Sequence, residues 1–271
     1  MPLTPPTTAV PLGGSLKTLL LRGLLAGLIA GLLAATVGYF VGEPKIDAAI
    51  AIEEAASASE PAHQEAAEPA GHTHGDEEEP LVSRDGQKAG QFLALGLGGM
   101  AFGAIFAAAA HHARRFTTLS GPRLALGLGI GGWLAIAAVP FFKYPANPPA
   151  VGDPETINDR TLLWVASVLL GLVAVGAGVY VYKSLHGKLD TLRLIGGVAA
   201  FVVVVTLGYV LLPGVDEVKA DFPASLLWQF RVASLAQTAT LWAALGLGFA
   251  FLTEFTTRST TPVREEVATA V

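Results

Sequence analysis

Long apolar blocks, not an amphipathic alternation, set the pattern of this chain. Six stretches run almost without charge, at residues 23–41, 89–110, 124–142, 161–182, 194–215 and 232–253. Each is about 20 residues long, which at 1.5 Å per residue crosses roughly 30 Å of hydrocarbon. Backbone groups find no water there, so each block must satisfy its own hydrogen bonds as a helix. The pattern predicts an all-α integral membrane bundle of about six transmembrane helices.

The expected organisation is a disordered N-terminal tail over 1–15, a first transmembrane helix over 16–42, and an external acidic and histidine-bearing loop over 43–88 with a short interfacial helix. Helices two to six, joined by external loops rich in Pro and acid, follow over 89–253, and 254–271 form a tail. The first block follows Lys17 and Arg22, as a signal peptide would. Its length, and its ending at Tyr39-Phe40-Val41-Gly42-Glu43, favour a retained anchor.

Composition agrees with that reading. The chain has 271 residues, 52% hydrophobic and 14% charged, whereas soluble domains carry about a quarter charged residues. Its 22 acidic residues outnumber 17 basic ones, with no basic run interleaved with aromatics, so nucleic acid is excluded as a partner. There is no cysteine, so a bound metal must be held by nitrogen and oxygen. No histidine lies inside a block, against a haem protein, and none carries a central acid or base. The chain also lacks a phosphate-binding G-x-x-x-x-G-K-[ST] run and an H-E-x-x-H motif. The expectation is a protein that is not an enzyme, which leaves transport, scaffolding or sensing.

Orientation follows from the flanks. Lys17, Arg22, Arg114, Arg115, Arg123, Lys183, Lys188, Arg193, Arg258 and Arg264 share one side, in short segments. The positive-inside rule then places both termini in the cytoplasm and the first, third and fifth loops outside, in a multi-pass protein of the cytoplasmic (inner) membrane. Of the 22 carboxylates, all but Asp190, Glu254, Glu265 and Glu266 then face outward. Such a face concentrates cations, or simply solvates long loops.

Candidate chemistry lies in these outer segments. After Pro44, which suits a first helical turn, Glu43, Asp47 and Glu54 fall within about 40° of one another at 100° per residue. That stripe reads either as a path for a divalent ion or as the polar face of an interfacial helix. Residues 55–85 lack apolar periodicity and carry His63, His72, His74, Asp76 and Glu77. Imidazole suits Co, Ni, Cu and Zn, and a flexible His-x-His can place two nitrogens on one ion. Asp153, Glu155 and Glu217, in the later outer loops, are candidate relay positions. Arg231 stands at the outer start of the last block, where Glu217, Asp221 or Asp153 is its expected partner. It reads as a latch between loops, or as a gate displaced when a cation takes the carboxylates. Trp164 and Trp228 read as interface anchors, and the G-x-x-x-G steps at Gly23, Gly27 and Gly31, at Gly99 and Gly103, and at Gly127 and Gly131 read as close helix packing.

The strings GEPKIDAAIAIEEA, LVSRDGQKAG, KYPANPPAVGDPETINDRT, LLPGVDEV and FPASLLWQFRVASL, with the His/acid segment between the first two, resemble the CbtA family of predicted cobalt transporter membrane subunits. The similarity runs from about residue 20 to 252. It implies a cobalt uptake role linked to cobalamin biosynthesis, with the cobalt ion as transported substrate and a small single-span CbtB-like subunit as partner. Other divalent transition metals remain possible cargo by the Irving–Williams order. The reading is a membrane subunit for metal transport that captures the ion on the His/carboxylate loop and passes it through the bundle. The alternative is a non-transporting membrane sensor or scaffold with a metal-responsive loop.

Overall fold

A computed structural model describes residues 11–59, 82–152 and 154–259. All regular elements among them are helical, and six helical runs are long and apolar enough to cross a membrane. The elements are α1 (Leu16–Val37), α2 (Glu43–Ser59), α3 (Arg84–Ala113), α4 (Gly121–Trp133), α5 (Val139–Lys143), α6 (Ile157–Ser184), α7 (Asp190–Leu211) and α8 (Ala224–Ser259).

Two of these boundaries are not breaks. α1 passes into α2 through a π-helical turn, Gly38–Gly42, and α4 into α5 through another, Leu134–Ala138. Each turn ends two residues before a proline, with Glu43 between Gly42 and Pro44 and Val139 between Ala138 and Pro140. Proline lacks an N–H, and its ring collides with the carbonyl four residues back. One extra residue in the turn lets the helix continue past that obstacle. The segment read as a separate interfacial helix is thus the upper part of the first helix, which runs from Leu16 to Ala58.

Glycines set the tightest contact. α1 and α3 run antiparallel with Gly23 on Gly103, Gly27 on Gly99, and Gly31 on Leu95, and a Cβ at any of the three α1 positions would overlap a carbonyl oxygen of α3. The predicted close packing therefore holds for these two helices. On α4 the interface uses different glycines: Gly129 faces Gly246 and Gly132 lies under the Trp242 ring, while Gly127 meets nothing. α1, α3, α4 and α8 enclose the main core around Leu19, Phe106, Trp242, Leu245 and Phe249. α6 joins it through Gly171 on Ala135, and α7 packs chiefly on α6, leaving Val202, Val203, Leu207 and Val210 exposed.

These antiparallel neighbours put Leu16 and the end of α8 at one end of the bundle. Helix α2 and the connections after α5 and α7 meet at the other. There a second apolar cluster joins Ala49 of α2, Val151, Phe222 and Leu227, so the loops are packed onto one another.

Candidate functional site

Two buried carboxylates stand at this loop end, each clamped by an arginine. Glu43 opens α2 and is buried, its side chain 8% exposed. Arg84, in the first turn of α3, donates through Nη2 to Glu43 and through Nε to Asp47 at 2.9 Å. Lys88, one turn on, donates to the other Asp47 oxygen at 2.9 Å. Beneath this network the amide ends of Gln91 and Gln237 converge on Gly38, and Gln91 Oε1 is buried without a partner. Of the predicted stripe, Glu43 and Asp47 therefore stand together, held by cations, and Glu54 is exposed two turns further along.

The second carboxylate is Glu217, on the connection between α7 and α8, with its side chain 9% exposed. Thr156 donates to its Oε1, and Arg160 Nη1 of α6 lies 2.9 Å from its Oε2. That contact lacks hydrogen-bond direction, so Oε2 is buried and ion-paired without a directed donor. Gly152 lies directly on the pair: its φ of 118° suits glycine alone, and a Cβ there would strike Arg160.

Glu217 lines a cavity of about 420 Å³, called the vestibule below. Its roof is Tyr144 to Asn147, its walls are the first turns of α6 and residues Arg231, Ser234 and Thr238 of α8, and its floor is Ile136 and Ala137 of the second π-helical turn. Arg231 donates to Asn147 Oδ1 at 2.9 Å and to the Ala146 carbonyl at 3.4 Å. It thus ties α8 to the loop after α5, while Glu217, its expected partner, is paired with Arg160. Tyr144 donates to the Pro213 carbonyl at 2.8 Å and Lys143 to the Tyr209 carbonyl at 3.0 Å, fixing the roof to the end of α7. Burial pushes the Tyr144 phenol above its ordinary value.

Glu155 is exposed in the short 3₁₀ turn before α6. His63, His72, His74, Asp76, Glu77 and Asp153 lie outside the described residues. Among the described residues no three His, Asp or Glu side chains converge on one point. Sequence reasoning missed the clamping cations. Arg84, Lys88 and Gln91 follow i, i+4, i+7 spacing, which would have flagged a polar stripe aimed at the bundle. Arg160 and Asn147 had no comparable signal.

A six-helix bundle with charged residues confined to its ends and a vestibule bearing Arg160, Glu217 and Arg231 at one of them belongs to the class of multi-pass membrane proteins. Residues 16–254 match the family described as probable cobalt transporter subunit (CbtA), and the chain belongs to that family. It is a family of transporter subunits, not of enzymes. Comparison with curated proteins and with solved structures returns no match.

Proposed function

We propose that this chain is the membrane subunit of a divalent transition-metal uptake system in the cytoplasmic membrane, with cobalt as its cargo. It captures the ion outside on the His63, His72, His74, Asp76 and Glu77 segment and hands it to Glu217 in the vestibule. The observation that carries this reading is Glu217 itself. A carboxylate nine-tenths buried in a cavity, with one oxygen lacking a directed donor, is an acceptor that an entering cation satisfies better than Arg160 does. Oxygen ligation with weak, exchangeable bonds suits passage rather than storage. Arg160 then acts as the displaceable counter-charge, and the Arg231 tie closes the vestibule roof. A CbtB-like single-span subunit completes the system and supplies further ligands.

The test is radiolabelled cobalt uptake in a host without other cobalt importers, with the chain alone and with its partner subunit, nickel and zinc being competitors. Glu217→Gln is expected to lower uptake at least about tenfold, the loss of roughly 1.4 kcal/mol of binding, at unchanged abundance. Replacing His63, His72 and His74 together by Ala is expected to reduce uptake only at limiting cobalt. Binding without chain-dependent flux in either arrangement would overturn transport and leave the metal-responsive sensor or scaffold.

A further inference from the structure

We infer that the vestibule contains an oxyanion site, in which Arg231, with Asn147 and Ser234 beside it, holds a carboxylate or phosphate group next to the Glu217–Arg160 pair. This deepens the proposed function by adding an anion to the cargo path, and only the link to cargo rests on that reading.

Glu217 and Arg160 balance one another across 2.9 Å. Arg231, partly buried in the same cavity, gives its hydrogen bonds to two neutral acceptors, the Asn147 side chain and the Ala146 carbonyl. The described lining therefore carries one excess positive charge. A cation removed from bulk water without a counter-charge is costly, and it attracts whatever anion can enter.

Geometry favours an oxyanion over a halide. A guanidinium presents five N–H groups in a planar fork, and the two bonds observed leave enough of them to meet two oxygens at once. Ser234 lines the cavity, and its hydroxyl makes no hydrogen bond among the described residues. Ile157, Arg160 and Thr161, from the first turns of the 28-residue α6, form one wall, so the positive end of that helix points the same way. Asp159 and Glu155, near that end, are exposed and are not part of the lining, and Asp153 lies outside the described residues. The cavity of about 420 Å³ accommodates such a group with several waters at roughly 30 Å³ each.

An anion here has a consequence for the cargo. A bare dication approaching Glu217 meets two guanidinium groups, and an oxyanion on Arg231 cancels one of the two repulsions. Anion and cation occupancy should then favour one another. The group's source is either a free small anion or the headgroup of an anionic lipid, since both present the same oxygens.

The experiment measures binding of radiolabelled inorganic phosphate, without metal, to the full chain in non-ionic maltoside micelles. Saturable binding is expected, with affinity at least about tenfold lower in Arg231→Gln and intermediate in Arg231→Lys, which keeps the charge and loses the fork. Competition by phosphatidylglycerol identifies the headgroup as the natural occupant, and competition by acetate alone identifies a free anion. Ser234→Asp provides a second variant, because it sets a carboxylate beside Arg231 and is expected to abolish phosphate binding while the fold, followed by thermal denaturation, persists. No saturable binding up to about 10 mM phosphate, or equal binding in folded Arg231→Gln or Ser234→Asp, would overturn the inference. Because no metal is present, the result stands apart from cobalt uptake.

Discussion

Glu43 and Glu217 are nearly equal in burial, and each is held by an arginine that is about one-third exposed. Their surroundings differ. Around Glu43 the charges balance, with Arg84 bridging Glu43 and Asp47 and Lys88 paired to Asp47, and the amide ends of two glutamines fill the space over Gly38 below. Around Glu217 an extra guanidinium remains, one carboxylate oxygen lacks a directed donor, and open volume adjoins it. The first arrangement staples α2 to α3. The second invites a ligand. Burial of a carboxylate does not by itself mark a site, and the balance of charge and space beside it does.

The largest effect should come from breaking the staple. Arg84→Gln leaves Glu43 buried opposite a neutral group and releases Asp47 from one of its two donors. Removing one member of a buried pair costs about 3 kcal/mol, so thermal denaturation in micelles should show a clear fall in stability, with reduced abundance in the membrane. The double variant Arg84→Gln with Glu43→Gln should recover most of the loss, since no uncompensated charge remains. A single variant as stable as the parent would mean that Glu43 is hydrated, and the contrast with Glu217 would disappear.

Arg160→Gln sharpens the same contrast from the other side. Glu217 keeps Thr156 as a donor, and water has room to reach it from the vestibule, so the stability loss should be about 1 kcal/mol. The functional change should be larger: without its counter-charge Glu217 holds a cation more tightly, so half-maximal cobalt uptake should shift to lower concentration. A stability loss matching that of Arg84→Gln, with uptake unchanged, would make both pairs staples.

The sequence makes some of this plain and hides the rest, for physical reasons. Six spans are legible because lipid admits no other backbone solution, and the Gly23, Gly27 and Gly31 row is legible because only glycine lets backbones come so close. The continuity of α1 into α2 is not, because Pro44 signals a helix start whether or not a π-helical turn carries the helix through it. Glu217 and Arg231 stood out as charges at span ends. Their partners did not, since pairing Glu217 with Arg160 and Arg231 with Asn147 depends on how three loops pack, through contacts 57 to 84 residues apart that no local periodicity encodes.

The smallest effect concerns the vestibule roof. Tyr144 donates to the Pro213 carbonyl, and burial raises its phenol above the ordinary value of 10.0. In the unfolded chain that phenol releases its proton first, so above about pH 10 the unfolded state binds fewer protons and the folded state loses stability as pH rises toward the raised value. Tyr144→Phe should cost about 1 kcal/mol near neutral pH and should lack this alkaline decline, so the two denaturation profiles converge as the pH rises above the ordinary phenol value. Parallel profiles would mean that the hydroxyl sits in water and that the roof is open. Convergence would mean that a single hydroxyl contact helps to close the vestibule, a closure far weaker than the Arg84 staple and therefore one that an arriving ligand can displace.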